Sequence, residues 1–155
     1  MKTMNIKAVE KSEMIEQSIK FWFADKKHLR SPFPAYIQPE LRRLAKKTFL
    51  DWLMQIKSRA EKEINDIIMV EKFEELLFEQ ALRLVKTEDE KITINFPFLP
   101  RINDEVSTPK KKEKSTVVDR SIVKEGDLVF LSLKMKNNNN DCSWESRIEL
   151  PKIGF

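Results

Sequence analysis

The sequence predicts an α+β fold in which about three N-terminal helices are packed on a small, mainly antiparallel C-terminal sheet of three to four strands. Two observations support this prediction: apolar residues recur at helical spacing through the first half of the chain, and their period changes to two in the second half. The 155 residues are a usual length for one domain. We therefore predict a single domain over residues 1–155, with a helical half at 11–88, a strand-rich half at 91–150 and a flexible loop at 99–115.

The first predicted helix covers residues 11–24, where Ile15, Ile19 and Trp22 share one face. Ser12 is suited to cap its start. A connector with three prolines follows at residues 30–39, because proline cannot continue a helix. The chain is therefore expected to leave the first helix in an extended segment.

The strongest helical pattern runs over residues 39–60, and it resumes over residues 66–87. Between them Asn65 is suited to cap a new helix. We favour two antiparallel helices in this region. One long bent helix is the alternative, since no glycine or proline lies between Glu40 and Glu90.

The strand-rich half is predicted from alternation. Residues 91–98 alternate apolar and polar side chains, which predicts a strand with Pro97 at an edge or an end. Residues 116–123 predict a weaker strand, and residues 127–136 and 143–150 are expected to pair as a hairpin across an asparagine-rich turn. The predicted core draws large apolar side chains from both halves: Phe49, Trp52, Leu76, Leu77, Ile92, Ile94, Leu128, Phe130, Leu131, Leu133, Trp144 and Ile148.

Residue counts argue against several chemistries. The two glycines are too few for phosphate-cradling loops, and the single Cys142 cannot form an intramolecular disulfide or a cysteine-based zinc site. We expect Cys142 to be a partly buried thiol, and the only histidine, His28, to be a surface residue rather than a catalytic base. The prediction is therefore a protein that is not an enzyme and has no catalytic residue, cofactor or metal site.

The chain has no apolar run approaching the roughly 20 residues that cross a bilayer, and its N-terminus lacks the features of a signal peptide. We therefore predict no membrane insertion and a cytoplasmic location. The lysine-, asparagine- and isoleucine-rich composition is associated with bacterial sources.

Charge is segregated along the chain. Residues 39–60 carry six bases and two acids, a net +4, whereas residues 61–90 carry four bases and ten acids, a net −6. Such faces are commonly only solvated, but they also present a field to a partner. An aromatic-rich segment around the first helix end adds a second binding candidate. The partner-binding candidates are Phe21, Trp22, Phe23, Phe33, Tyr36, Glu71, Glu74, Glu75 and Glu79.

These features predict a non-catalytic protein-interaction or structural subunit of a larger bacterial assembly, with a protein partner or as a homo-oligomer. One alternative, possible but not favoured, is a nucleic-acid-binding accessory protein that uses a basic helix face and a lysine loop: Arg42, Arg43, Lys46, Lys47, Lys110, Lys111 and Lys112. A second alternative is a magnesium-dependent enzyme that uses acidic loop residues: Asp104, Glu105, Asp119, Glu125 and Asp127.

Overall fold

The structure is a computed structural model, and it describes residues 13–25, 30–56, 65–107 and 113–151. The described residues form four α-helices followed by a four-stranded antiparallel sheet, which confirms the predicted α+β class. The chain divides into two compact units, residues 1–97 and 98–155. That the two units make up one domain with a shared interior stays a prediction.

The helical unit contains helix α1 (Glu13–Phe23), helix α2 (Gln38–Ile56), helix α3 (Asp66–Leu84) and helix α4 (Glu88–Asn95). A short 3-10 helix, Ala35–Ile37, leads into α2. Among these described helices, none combines the length and the apolar character that crossing a bilayer requires.

Helices α2 and α3 are separate, as the sequence favoured. Asn65 caps α3, because its side chain accepts a hydrogen bond from the backbone N–H of Ile68 at 2.9 Å. Ser12, the predicted cap of the first helix, lies outside the described residues. The structure therefore has the favoured two helices and not the alternative of one long bent helix, and the second helix has its own local start signal.

Contacts along α2 and α3 show that the two helices are antiparallel. Phe49 and Phe73 meet edge to face with ring centroids 5.6 Å apart. Three residues later on α2, the Trp52 ring lies 5.7 Å from the Nζ of Lys72, which is one residue earlier on α3. Residue numbers in contact thus increase along α2 while they decrease along α3, as in an antiparallel pair.

The interior of the helical unit is apolar and closely packed. Leu41, Ala45, Phe73, Leu77 and Ala81 are fully buried, and Phe49 is almost so. Each fully buried large side chain contributes about 1.5–3 kcal/mol relative to an exposed one. Phe49, Leu76 and Leu77 therefore take the core positions that the sequence predicted.

The predicted strand at 91–98 is wrong, because the chain is helical from Glu88 to Asn95. Thr87 starts this helix with a capping box: its hydroxyl accepts from the N–H of Glu90, and the Glu90 carboxylate accepts from the N–H of Thr87. Three acidic residues in the first turn further favour the helix N-terminus. Helical structure therefore extends past residue 88.

The sheet unit contains strands β1 (Glu105–Ser107), β2 (Lys114–Glu125), β3 (Leu128–Asn137) and β4 (Ser143–Glu149), paired in that order and all antiparallel. Strand β1 lies inside the segment predicted as a flexible loop at 99–115, so that prediction is wrong for these residues. The loop prediction also covers residues 108–112, which lie outside the described residues.

The β3–β4 hairpin is confirmed, and its register pairs Met135 with Trp144 and Leu131 with Ile148. The preceding turn places Gly126 at a φ of 60°. A two-residue hairpin of type II′ requires such a backbone conformation at its first central position, and glycine adopts it without a steric penalty. Two turns thus fold the chain into a continuous meander.

One face of the sheet is buried and includes Val117, Leu131, Leu133 and Met135. Trp144 and Ile148 are half-buried on the same face, whereas Leu128, a predicted core residue, is 42% exposed at the hairpin turn. Arg120 is also buried on this face, where its Nη1 donates to the carbonyl of Pro100 at 3.0 Å. A register shift at Val118 bends the alternation of β2, so that Val117 and Arg120 both lie on the buried face.

Candidate interaction surfaces

Three of the aromatic candidates pack within the helical unit. Phe33 is buried and lies 5.6 Å from Phe23 and 5.2 Å from Phe78, measured between ring centroids. Trp22 lies 4.8 Å from Phe78, and its indole N–H donates to the Glu74 carboxylate at 2.9 Å. The proline connector therefore folds back over the helices, and these side chains stabilise the unit.

Two aromatic candidates stay accessible. Phe21 is 47% exposed and Tyr36 is 54% exposed. The Tyr36 hydroxyl donates to the Glu90 carboxylate at 2.6 Å, and this hydrogen bond raises the pKa of Tyr36 above its ordinary value. Because the Lys86 Nζ also lies 5.6 Å from the Tyr36 ring, this tyrosine serves to fasten the connector to the start of α4.

The acidic candidates separate into one inward and three outward residues. Glu74 is half-buried and accepts the hydrogen bond from Trp22. Glu71, Glu75 and Glu79 are exposed and recur every four residues, so they form one row along α3. In this row Glu75 lies 3.4 Å from the Lys72 Nζ.

Two isoleucines extend this row at the start of α3. Ile67 is 68% exposed and Ile68 is 40% exposed. Both are apolar residues of the helical pattern at 66–87, but they are out of phase with the buried Phe73 and Leu77. That phase difference is the signal that separates them from the core. We use the term α3 face for Ile67, Ile68, Glu71, Glu75 and Glu79.

Apart from the ion pair between Glu75 and Lys72, the α3 face contributes little to the stability of the helix that carries it. Like charges at a spacing of four residues destabilise a helix by about 0.2–0.5 kcal/mol per pair, and the glutamate row contains two such pairs. Ile67 and Ile68 keep much of their apolar surface in water. A partner that supplied positive charge and an apolar contact would remove both penalties.

The basic candidates on α2 are largely neutralised within the helical unit. The Glu16 carboxylate accepts from Arg42 at 2.7 Å and from Lys46 at 2.6 Å. The hydrogen bond from Lys46 lowers the pKa of Glu16. Arg43 forms an ion pair with Glu40, one turn earlier.

Lys47 is exposed on α2, whereas Lys110, Lys111 and Lys112 lie outside the described residues. The structure therefore leaves one of the four basic α2 candidates facing solvent without a carboxylate at ion-pair distance, among the contacts of the described part of the chain. A face that binds phosphates needs several such cations together.

The acidic residues of the magnesium alternative are dispersed. Asp104 accepts from the N–H of Arg101 at 2.8 Å, and Asp119 accepts from the N–H of Arg120 at 2.9 Å. Glu105 and Glu125 lie beside the bases Lys114 and Arg147, and Asp127 lies in the β2–β3 turn. Within the described ranges, no three His, Cys, Asp or Glu side chains converge to hold a metal ion.

The two reactive residue types give no candidate site. His28 lies outside the described residues. Cys142 is exposed in the β3–β4 turn, which corrects the expectation that its thiol is partly buried. The turn explains this placement, because residues 138–142 project beyond the paired strands.

Comparison of the chain with protein-family models, curated proteins and solved structures gives no match.

Proposed function

We propose that this chain is a non-catalytic protein-interaction or structural subunit of a larger assembly, and that it contacts a protein partner through the α3 face. The observation that carries the proposal is the composition of that face. Two exposed isoleucines adjoin three exposed glutamates on one side of one helix. Within the helix only Glu75 has an ion-pair partner, Lys72, and both sets of side chains provide contacts for a partner protein.

The chemistry of the α3 face indicates the kind of partner. Lysine or arginine side chains of a partner would complement the glutamate row. An apolar depression next to those bases would accommodate Ile67 and Ile68. Interfaces of this kind gain specificity and association rate from charge, and affinity from the apolar contact. The proposed partner is therefore a protein with a basic surface next to an apolar pocket.

A bacterial and cytoplasmic setting belongs to the same proposal. The thiol of Cys142 is exposed and free, and an exposed free thiol suits a reducing compartment. The composition supports a bacterial source by association only.

The two alternatives have less support. Three of the four basic α2 candidates form ion pairs with Glu16 or Glu40, and a nucleic acid would need these bases for its phosphates. The acids of the magnesium alternative accept hydrogen bonds from backbone N–H groups or lie beside bases at separate places in the sheet unit. Both alternatives stay predictions.

The test of the proposal is capture of a partner by the immobilised full-length chain from an extract of its source cells. The variant E71Q/E75Q/E79Q removes the charge of the row while it keeps side-chain size. Its matched control, E13Q/D25N/D51N, removes the same charge from exposed acids elsewhere in the helical unit. We expect the wild type and the control to capture the same protein, and the α3 variant to bind it roughly tenfold more weakly or worse.

A second variant, I67T/I68T, tests the apolar part of the α3 face. We expect it to weaken capture without changing the salt dependence, because it leaves the glutamates in place. Circular dichroism confirms that each variant is folded. Capture that both α3 variants leave unchanged, or a wild type that captures nothing, would overturn the proposal.

A further inference from the structure

The outer edge of strand β4 presents unpaired backbone groups. The N–H of Asn137 donates to the carbonyl of Cys142, and the N–H of Leu150 donates to the carbonyl of Val129, each at 2.8 Å. Because hydrogen bonding alternates along an antiparallel strand, the even-numbered residues of β4 bond to β3. The N–H and C=O groups that point away from β3 belong to Ser143, Glu145, Arg147 and Glu149.

The two end strands of the sheet differ in length. Strand β1 has three residues, and a short end strand is one way in which sheets avoid pairing with other chains. Strand β4 has seven residues, which span about 24 Å at about 3.4 Å per residue. No strand of the described sheet pairs with its outer edge. Strand β4 therefore offers a full-length ladder to an added strand.

Charged side chains select which strand can be added. Glu145, Arg147 and Glu149 project from the outer face of β4 and are exposed, with signs that alternate along the strand. Like charges directly opposite one another destabilise a strand pair, and opposite charges stabilise it. Pairing with β4 is therefore most favourable for a strand whose charges have the complementary order.

We propose that β4 pairs antiparallel with β4 of a second copy of this chain, about a two-fold axis at Ser146. This axis places Glu145 of each copy opposite Arg147 of the other, so that two ion pairs form. It also aligns the outward N–H and C=O groups of Ser143 and Arg147 of one copy with those of Glu149 and Glu145 of the other. The sheets of the two copies then join into one antiparallel sheet of eight strands.

The same register also matches the inner face of β4. Trp144 and Ile148 are half-buried in the single chain, and the two-fold axis places each of them opposite the other in the second copy. Aromatic and β-branched residues are favourable partners across antiparallel strands. The Trp144 indole N–H already donates to the Ser115 hydroxyl at 2.9 Å, which fixes the ring on this face.

Neighbouring registers are less favourable. A two-fold axis at Arg147 would place the two Arg147 side chains opposite each other and each Glu145 opposite a Glu149. An axis at Ile148 would pair Arg147 with Glu149, but it would move Pro151, which has no N–H, into the ladder. Of these three registers, only the one with its axis at Ser146 both pairs Glu145 with Arg147 and lets the whole of β4 hydrogen-bond to the second copy.

Arg147 already has contacts within the chain, and they are compatible with this arrangement. It forms an ion pair with Glu125 and lies 5.8 Å from the Phe130 ring centroid. Its guanidinium carries five N–H donors, enough for carboxylates on two sides. In the dimer Arg147 would lie between Glu125 of its own chain and Glu145 of the second copy.

Charge exchange in the full-length chain tests the proposal. E145R gives two bases at positions 145 and 147, and R147E gives two acids there. By sedimentation velocity we expect a wild-type dimer of twice the 18.4 kDa chain mass, and each variant alone should dimerise roughly tenfold more weakly or worse. An equimolar mixture of the two variants should restore the dimer, since every opposing pair is again complementary.

Hydrogen exchange locates the contact. In the wild-type dimer the backbone amides of Glu145, Arg147 and Glu149 should be protected, and in E145R alone they should exchange quickly. A wild type that is monomeric up to millimolar concentration overturns the proposal. A dimer that survives both single variants, or a mixture that stays monomeric while both variants are folded, also overturns it.

This inference rests on the proposed role as an interaction protein, but it concerns a different surface. E71Q/E75Q/E79Q should leave the dimer intact, and E145R should leave partner capture through the α3 face intact. Failure of one proposal is therefore distinguishable from failure of the other.

Discussion

The indole N–H of Trp22 donates to the carboxylate of Glu74 at 2.9 Å, which ties the end of α1 to the middle of α3. Trp22 also contacts Phe78, which lies one turn after Glu74 on α3. Trp22, one of the partner-binding candidates, is thus held within its own chain. The same hydrogen bond turns Glu74 away from the glutamate row of the α3 face.

W22F should destabilise the chain by about 1–2 kcal/mol, because a partly buried hydrogen bond to a charged group is lost while the ring contact with Phe78 remains. Urea unfolding followed by circular dichroism measures this change. E74Q is the control, since its amide oxygen still accepts from the indole, and it should lose less stability than W22F. Equal losses for the two variants would contradict this interpretation.

Glu16 should make stability depend on pH. The hydrogen bond from Lys46 lowers its pKa in the folded chain below the ordinary 4.5, so its contribution is present above that value and is lost as the pH falls through the folded pKa. E16Q should be less stable than the wild type near neutral pH by about 1 kcal/mol or less, since the pair is partly exposed.

The urea midpoints of wild type and E16Q should therefore converge as the pH is lowered below 4.5. E13Q removes an exposed glutamate of the same helix turn and serves as the control. A stability gap between wild type and E16Q that stays constant across this pH range would show that the ion pairs of Glu16 do not cause it.

T87A should destabilise the helical unit by about 1 kcal/mol, because the hydroxyl that accepts from the N–H of Glu90 is removed at the start of α4. T87S keeps the hydroxyl and should keep most of the stability. Thermal unfolding of the three chains compares them directly. If T87S lost as much stability as T87A, the capping box would not be the cause.

Helix α4 shows where prediction from the sequence failed and why. Ile92 and Ile94 are two residues apart and both buried, which imitates the alternation of a strand. The local evidence for a helix was also in the sequence, since Thr87 and Glu90 have the spacing of a capping box. In a segment of eight residues the cap is the more specific signal.

Local signals predicted other elements correctly. Asn65 was recognised as a cap because capping depends on neighbouring residues only. The β3–β4 hairpin followed from two alternating segments and a polar turn. The candidate surfaces were harder, since Glu16 pairs with Lys46 across 30 residues, and such a contact depends on how the helices pack.

The stability of a variant without the glutamate row distinguishes a binding role of the row from a structural one. E71Q/E75Q/E79Q relieves two like-charge pairs at a spacing of four residues, so it should raise the free energy of unfolding slightly, by at most about 0.2–0.5 kcal/mol per pair. The gain should be largest at low ionic strength and should shrink as salt screens the charges. Urea unfolding at two salt concentrations measures both effects, with E13Q/D25N/D51N as the matched control.

Loss of the ion pair between Lys72 and Glu75 opposes the gain in the free energy of unfolding and sets its lower bound near zero. A clear loss of stability would mean that the row supports the fold, and its effect on partner capture could then not be assigned to a binding surface.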